Sequence, residues 1–361
     1  MMKRLGDYIR PVDVRNRDLK VTRLVGLTID KAFIPSVANT IGTDLSNYKV
    51  ISENQFACSL MQVSRDGKMP IAMFKGEPCI MSPAYPMFEV SKMNELLPEY
   101  LMMWFSRSEF DREASFYAVG GVRGSLEWND FCDMQIPVPA IDKQREIVAE
   151  YNTLATRIET NKKLIATLEQ TAQTLYRHTF VDNIDPNNLP QGWRMGTVGE
   201  FCDIITGKKD VNESSDIGLY RFFSCSPDTF FSNEYIACGP AALIAGNGSY
   251  TGRVTYYDKE FDLYQRTYAC LPKENVRELM PFLYSVLRFQ FQDKFMGGSR
   301  GSSIPYIVRG DIADFGFPFQ KEVCEKFSKY MLQYLTHIQF KTIENQTLTQ
   351  MQTLLLSKMG A

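Results

Sequence analysis

Two short loops hold the residues best suited to gripping a phosphate. Gly120-Gly121-Val122-Arg123-Gly124-Ser125 recurs as Gly297-Gly298-Ser299-Arg300-Gly301-Ser302. Glycine lets backbone N–H groups approach a phosphate oxygen closely, and arginine adds a planar, permanently charged fork of donors. Because the loop stands in both halves of the chain, Arg123 and Arg300 suit a phosphate contact common to both halves, and any discriminating contact is expected where the halves differ. A plain domain-closing turn is the competing reading of these loops. The divergent stretches offer Arg65 and Lys68 in the first half and Asn247, Tyr250, Arg253 and Arg266 in the second, basic, polar and aromatic types suited to selective contacts. Lys208 and Lys209, after Gly207, are further phosphate candidates, with a solvated loop as the plainer alternative.

Constellations for other chemistry are incomplete. An amino-methyltransferase needs an Asn/Asp-Pro-Pro-aromatic turn, and Asp185-Pro186-Asn187 lacks both the second proline and the aromatic residue. The spacing of a P-loop is missing around Gly207-Lys208-Lys209. Asp258, Glu260 and Asp262 imitate a nuclease metal cluster but read more simply as solvated acids. Eight cysteines contain no C-x-x-C pair and have only His178 and His337 as nitrogen companions, so they read as reduced, buried thiols. No catalytic residue, metal ligand or cofactor is therefore assigned to the chain itself.

The elements that position these loops follow from length and repetition. A chain of 361 residues, 44% hydrophobic and 23% charged, suits two domains with ample core material. The formal charge of -2 and pI near 5.9 are unlike a free-standing basic nucleic-acid binder. Charge is unevenly placed, however: residues 1–23 hold seven Lys or Arg against three Asp, which leaves room for local basic faces. With no apolar leader after Met1-Met2-Lys3-Arg4 and no membrane-length apolar run, a cytoplasmic location without membrane attachment is expected.

The order of signals repeats at a separation near 180 residues. Leu96-Leu97-Pro98-Glu99-Tyr100-Leu101 is echoed by Leu279-Met280-Pro281-Phe282-Leu283-Tyr284, each a proline-started helix ahead of its glycine loop. Asp133-Met134-Gln135-Ile136-Pro137 and Asp314-Phe315-Gly316-Phe317-Pro318 follow the loops. Between these landmarks lie short β-branched and aromatic runs, such as Arg253-Val254-Thr255-Tyr256-Tyr257, that read as strands. Each half is predicted to be a mixed α+β domain.

Each half then enters a long helix. Ile147, Tyr151, Leu154, Ile158, Asn161, Ile165, Leu168, Ala172 and Leu175 alternate steps of four and three, which is a heptad seam. Phe327, Met331, Tyr334, Ile338, Lys341, Asn345, Leu348, Gln352 and Leu355 repeat it with more polar members, and Leu335, Ile343, Met351 and Leu354 suggest a partly rotated face. Neither stretch contains Gly or Pro, so each helix reaches roughly 60 Å. An antiparallel pair is expected, with Asn161 and Lys341 forming a central polar layer.

Leu189-Pro190-Gln191-Gly192-Trp193, Ile136-Pro137-Val138-Pro139 and Gln144-Arg145-Glu146-Ile147-Val148 resemble the specificity subunits of type I restriction-modification enzymes. The likeness covers essentially the whole chain. Departures are Lys143-Gln144, where the family usually shows Glu-Gln, and Phe319-Gln320-Lys321-Glu322, which opens the second helix without a Gln-Arg-Glu-Ile run. The resemblance implies α/β (mixed α+β) target-recognition domains over residues 1–140 and 193–318. It also implies spacer helices over 141–182 and 319–361, with a linker at 183–192. It further implies a non-catalytic reader of a bipartite duplex site that docks two methyltransferase subunits, joined by motor-nuclease subunits. Those partners would bind S-adenosylmethionine, ATP and magnesium. A self-sufficient DNA methyltransferase or nuclease, and a protein-only coiled-coil scaffold, are the competing functions.

Overall fold

The computed structural model describes residues 2–36, 42–61, 63–120, 124–228, 230–296 and 305–360. Contacts divide the chain into two units, Met1–Thr160 with Asn345–Ala361, and Asn161–Glu344. In the first unit β1 (Met2–Arg4) and β2 (Ile9–Pro11) are followed by β3 (Phe56–Cys58), β4 (Ile71–Met73) and β5 (Met87–Val90). Next come helix α1 (Pro98–Phe105), β6 (Gln135–Pro137) and the opening half of the 40-residue helix α2 (Ile141–Phe180). Strands pair in the order β2-β5-β3-β4, all antiparallel, and β1 pairs with β6.

The second unit contains β7 (Arg194–Thr197), β8 (Cys202–Thr206), β9 (Pro240–Ala245), β10 (Val254–Asp258) and β11 (Thr267–Pro272). Helix α3 (Met280–Val286), β12 (Gly316–Phe319) and the 38-residue helix α4 (Lys321–Lys358) complete it. Its sheet runs β8-β11-β9-β10, antiparallel throughout, and β7 pairs with β12. The same six strands in the same order thus occur twice. Burial explains their composition: Ala241 through Ala245 of the inner strand β9 are all buried, whereas the edge strand β10 keeps Asp258 in solvent.

Divergence lies between these shared strands. The first unit inserts two two-stranded sheets, Val25–Leu27 with Phe33–Pro35 and Lys49–Ile51 with Cys79–Met81. The second inserts one three-stranded sheet built from Tyr220–Phe223, Phe230–Ser232 and Phe261–Leu263.

Each core is aromatic. In the first unit Phe56 stacks on Phe88 at 5.0 Å, and Phe88 meets Phe131 at 5.6 Å. In the second Phe180 sits 4.8 Å from Phe282 and 5.2 Å from Phe327. Helices from both ends of the chain share these cores. Ile147, Val148 and Tyr151 of α2 join Leu355, Leu356 and Met359, from α4 and its C-terminal flank, in the first. Ala172, Tyr176 and Phe180 join Cys324, Phe327, Met331 and Leu335 in the second. The start of one helix therefore packs with the end of the other, and the pair runs antiparallel.

On α2, Ile158, Asn161 and Ala172 are buried, and Ile147, Tyr151, Leu154, Ile165, Leu168 and Leu175 are half-buried. On α4, Phe327 and Met331 are buried, while Tyr334, Ile338, Lys341, Asn345, Leu348, Gln352 and Leu355 are half-buried. The rotated face expected from Leu335, Ile343, Met351 and Leu354 does not form, since Leu335 alone is buried and the others are 48, 50 and 56% exposed. Four-three stepping already fills the seam, and these three residues lie round the helix from it. Lys341 turns its ammonium to Glu344 at 2.7 Å on its own helix.

Two buried side chains fix the junctions between the long helices and the domains. Helix α1 begins at Pro98 behind Leu97, which has no side-chain oxygen to cap it. Gln144, completely buried, instead holds the turn ahead of the helix: its Oε1 takes the Leu97 N–H at 2.9 Å, and its Nε2 donates to Glu95 O and Pro139 O at 2.7 and 2.9 Å. In the second unit the capping position is again a leucine, Leu279, and buried Ser328 accepts the Phe282 N–H at 3.2 Å.

Candidate nucleic-acid interface

The hairpin between the third and fourth sheet strands is the element that varies most beside a shared loop. In the first unit it spans residues 59–70, closed by Ser59 N–H to Pro70 O at 2.8 Å. It carries the helical turn Val63–Asp66. The exit of the first glycine loop is stitched to it: Leu126 N–H donates to Leu60 O at 2.9 Å, and Gly124 adopts φ +70° against Ser64. In the second unit Ala245 N–H donates to Arg253 O at 3.0 Å, and Ile307 N–H, just past the second glycine loop, donates to Gly246 O at 2.9 Å. Gly248 N–H and the Thr251 hydroxyl both reach Pro305 O, at 3.2 and 2.9 Å. Each unit thus presents one hairpin fastened to the flank of its glycine loop.

Gly124 has a steric reason to be glycine. A Cβ there would overlap the Ser64 hydroxyl in a backbone region unfavourable to side chains, whereas Gly192, at φ +84°, has nothing within 4 Å of such an atom. Gly124→Ala is expected to cost about 1 to 2 kcal/mol, and Gly192→Ala clearly less. Denaturant unfolding of the two variants side by side checks this, and equal losses would contradict the close approach.

The site residues named from sequence distribute as follows. Arg65 is exposed, with its Nε 2.6 Å from Asp66 Oδ1, and exposed Lys68 lies 3.7 Å from Asp30. Asn247 bridges to Tyr306, Tyr250 is 43% exposed, and Arg266 is exposed at the turn whose carbonyl accepts Gly246 N–H. These three and Arg253 are brought together around one hairpin. Arg253 is half-buried: Nη2 donates to Ser226 O at 2.7 Å, and its guanidinium lies 5.8 Å from the Tyr250 ring centroid. Burial draws its pKa below the usual arginine value, and the hydrogen bond to Ser226 O ties the hairpin to the 224–228 turn.

Lys208 is exposed, but Lys209 is spent internally. Its ammonium holds the nearly buried Asp262 at 2.7 Å, Glu234 at 3.0 Å and the Ser232 hydroxyl at 3.1 Å. The Asp262 hydrogen bond raises its pKa. Arg123 and Arg300 lie outside the described residues. The basic N-terminal stretch is largely offset: Arg4 pairs with Asp133 at 2.6 Å, Arg15 with Asp13 at 2.8 Å and Lys20 with Asp18 at 2.9 Å. Among the described residues no group of three His, Cys, Asp or Glu is arranged to hold a metal ion, and no helix is long and apolar enough to cross a membrane. Six of the eight cysteines are buried, Cys225 is half-buried and Cys238 exposed.

Two residues that the sequence did not single out stand behind the hairpins. Asp111, on the helix Ser108–Tyr117, accepts the Met69 N–H at 3.1 Å, and Gln292 accepts the Val254 N–H at 2.8 Å. Each directly follows a buried phenylalanine, Phe110 or Phe291, and that repeated pair was the available signal.

Residues 190–350 match the family described as type I restriction modification DNA specificity domain. This segment is similar to type I specificity domains. The resemblance carried by Leu189–Trp193, Ile136–Pro139 and Gln144–Val148 is borne out. A curated relative, the type I restriction enzyme EcoDI specificity subunit of Escherichia coli, is 38% identical over 126 residues, 35% of this chain. The match spans 27% of that relative's length. The type I restriction-modification S subunit of M. genitalium aligns over 99% of this chain and 95% of its own, with a TM-score of 0.64 at 15% identity. The matched segment therefore lies within a fold shared over the full length, a mixed α/β architecture with two long helices.

Proposed function

We propose that this chain is the DNA-recognition subunit of a type I restriction-modification complex, each unit reading one half of a bipartite duplex site. The observation that carries the reading is the hairpin joined to a glycine-loop flank, built twice on the same four-stranded sheet from different residues. A repeated scaffold with divergent tips is what two unlike half-sites require. In the first unit Arg65 and Lys68 supply base or phosphate contacts, and in the second Asn247, Tyr250 and Arg266 do so, with Lys208 on the phosphate side. Arg123 and Arg300 serve phosphate. The long helices set the half-site separation and dock two methyltransferase subunits, and motor-nuclease subunits join through the complex. S-adenosylmethionine, ATP and magnesium belong to those partners. Much of the phosphate attraction comes from them too, consistent with a chain of net charge -2.

Purified alone with S-adenosylmethionine and duplex DNA, the chain is expected to transfer no methyl groups; combined with its modification subunits it is expected to direct site-specific adenine methylation. Specific methylation by the rigorously purified chain would overturn the adaptor reading.

A further inference from the structure

We infer that Asp111 and Gln292 are positioning residues that set the pose of the two hairpins, an inference that rests on reading those hairpins as DNA contacts. The two positions are 181 residues apart, the same separation as Leu126 and Ile307, whose N–H groups fasten the glycine-loop exits. Each residue is only 9% exposed. The closing bonds from Ser59 to Pro70 and from Ala245 to Arg253 align Pro70 with Arg253, so the clamped N–H groups of Met69 and Val254 flank equivalent points. Both belong to the strand at the sheet edge, β4 or β10, or to its entry, where the outward N–H has no neighbouring strand to accept it. A buried acceptor there fixes where the hairpin leaves the sheet.

The two clamps use different chemistry for one task. Asp111 brings a charge into the interior and is met by Lys31, whose Nζ is 2.8 Å from the same Oδ1 and also donates to Phe105 O. Gln292 is neutral and needs no counter-ion. Its side chain reaches β10 from the helical turn that follows the π-turn Leu287–Phe291. The two geometries converge although the residues and their surroundings differ, which is the mark of a constraint on the hairpin itself.

The test uses the chain assembled with its modification subunits and a duplex panel in which bases of each half-site are varied singly. Gln292→Met keeps size and removes the acceptor; Gln292→Glu keeps an accepting oxygen. Asp111→Leu with Lys31→Met removes the first clamp, and Asp111→Asn with Lys31→Met restores a neutral acceptor. Gln292→Met is expected to lower discrimination on the order of tenfold at one half-site only, with Glu retaining it. The Asp111→Leu pair is expected to do the same at the other half-site, with the Asn pair rescuing. A variant that melts earlier yet discriminates as before at both half-sites overturns the positioning role, as does an equal loss at both. An unmutated complex that methylates without site preference overturns the DNA-recognition reading itself.

Discussion

Gln144→Leu is expected to destabilise the first unit by about 3 kcal/mol or more, lowering its thermal midpoint by roughly 6 to 12 °C. Gln144 is wholly buried and satisfies three backbone groups: the Leu97 N–H and the carbonyls of Glu95 and Pro139. Leucine matches its bulk but makes none of these bonds, and each stranded group costs about 1 to 3 kcal/mol in a dry site. Gln144→Glu, which keeps the acceptor for Leu97 but turns a carboxylate without a counter-ion toward the two carbonyls, is expected to cost at least as much as leucine at neutral pH. Calorimetry of the three proteins checks the ranking. A leucine variant within about 1 kcal/mol of the parent would show that the junction tolerates unsatisfied groups.

The second large effect concerns the helices. Inserting seven residues after Thr160 in α2 and seven after Glu344 in α4, where the chain passes from one unit to the other, preserves the heptad phase. It adds about 10 Å at 1.5 Å per residue, or about three base pairs at 3.4 Å each. In complex with the modification subunits, such a chain is expected to abandon the original site and methylate one whose gap is longer by about three pairs. Insertion into one helix alone breaks the matching of the seams and is expected to leave neither site methylated. Retention of the original gap after the double insertion would show that the helices do not set it.

How much of this was legible in the sequence depends on the kind of interaction. The repeat was visible because glycine loops and proline-started helices have local signatures, and the strand order it implied is the same in both units. The seam could be traced because its spacing is a property of one helix. Leu335 against Ile343, Met351 and Leu354 shows the limit: apolar character alone does not say which side of α4 is covered. Long-range hydrogen bonds left the weakest trace. Gln144 was quoted as part of a motif without its role, and Ser328, whose hydroxyl accepts the Phe282 N–H, belonged to no motif at all. Lys209 and Arg253 looked like free cations because their partners, Asp262 and the Ser226 carbonyl, are distant in the chain.

The bipartite reading is tested most directly by base-resolution mapping of adenine methylation in cells that carry this chain with its modification subunits and lack other methyltransferases. The expected map contains one motif made of two short specific parts separated by a fixed number of unspecified bases, and deletion of this chain erases it. A single uninterrupted motif, or a map unchanged by the deletion, would contradict it.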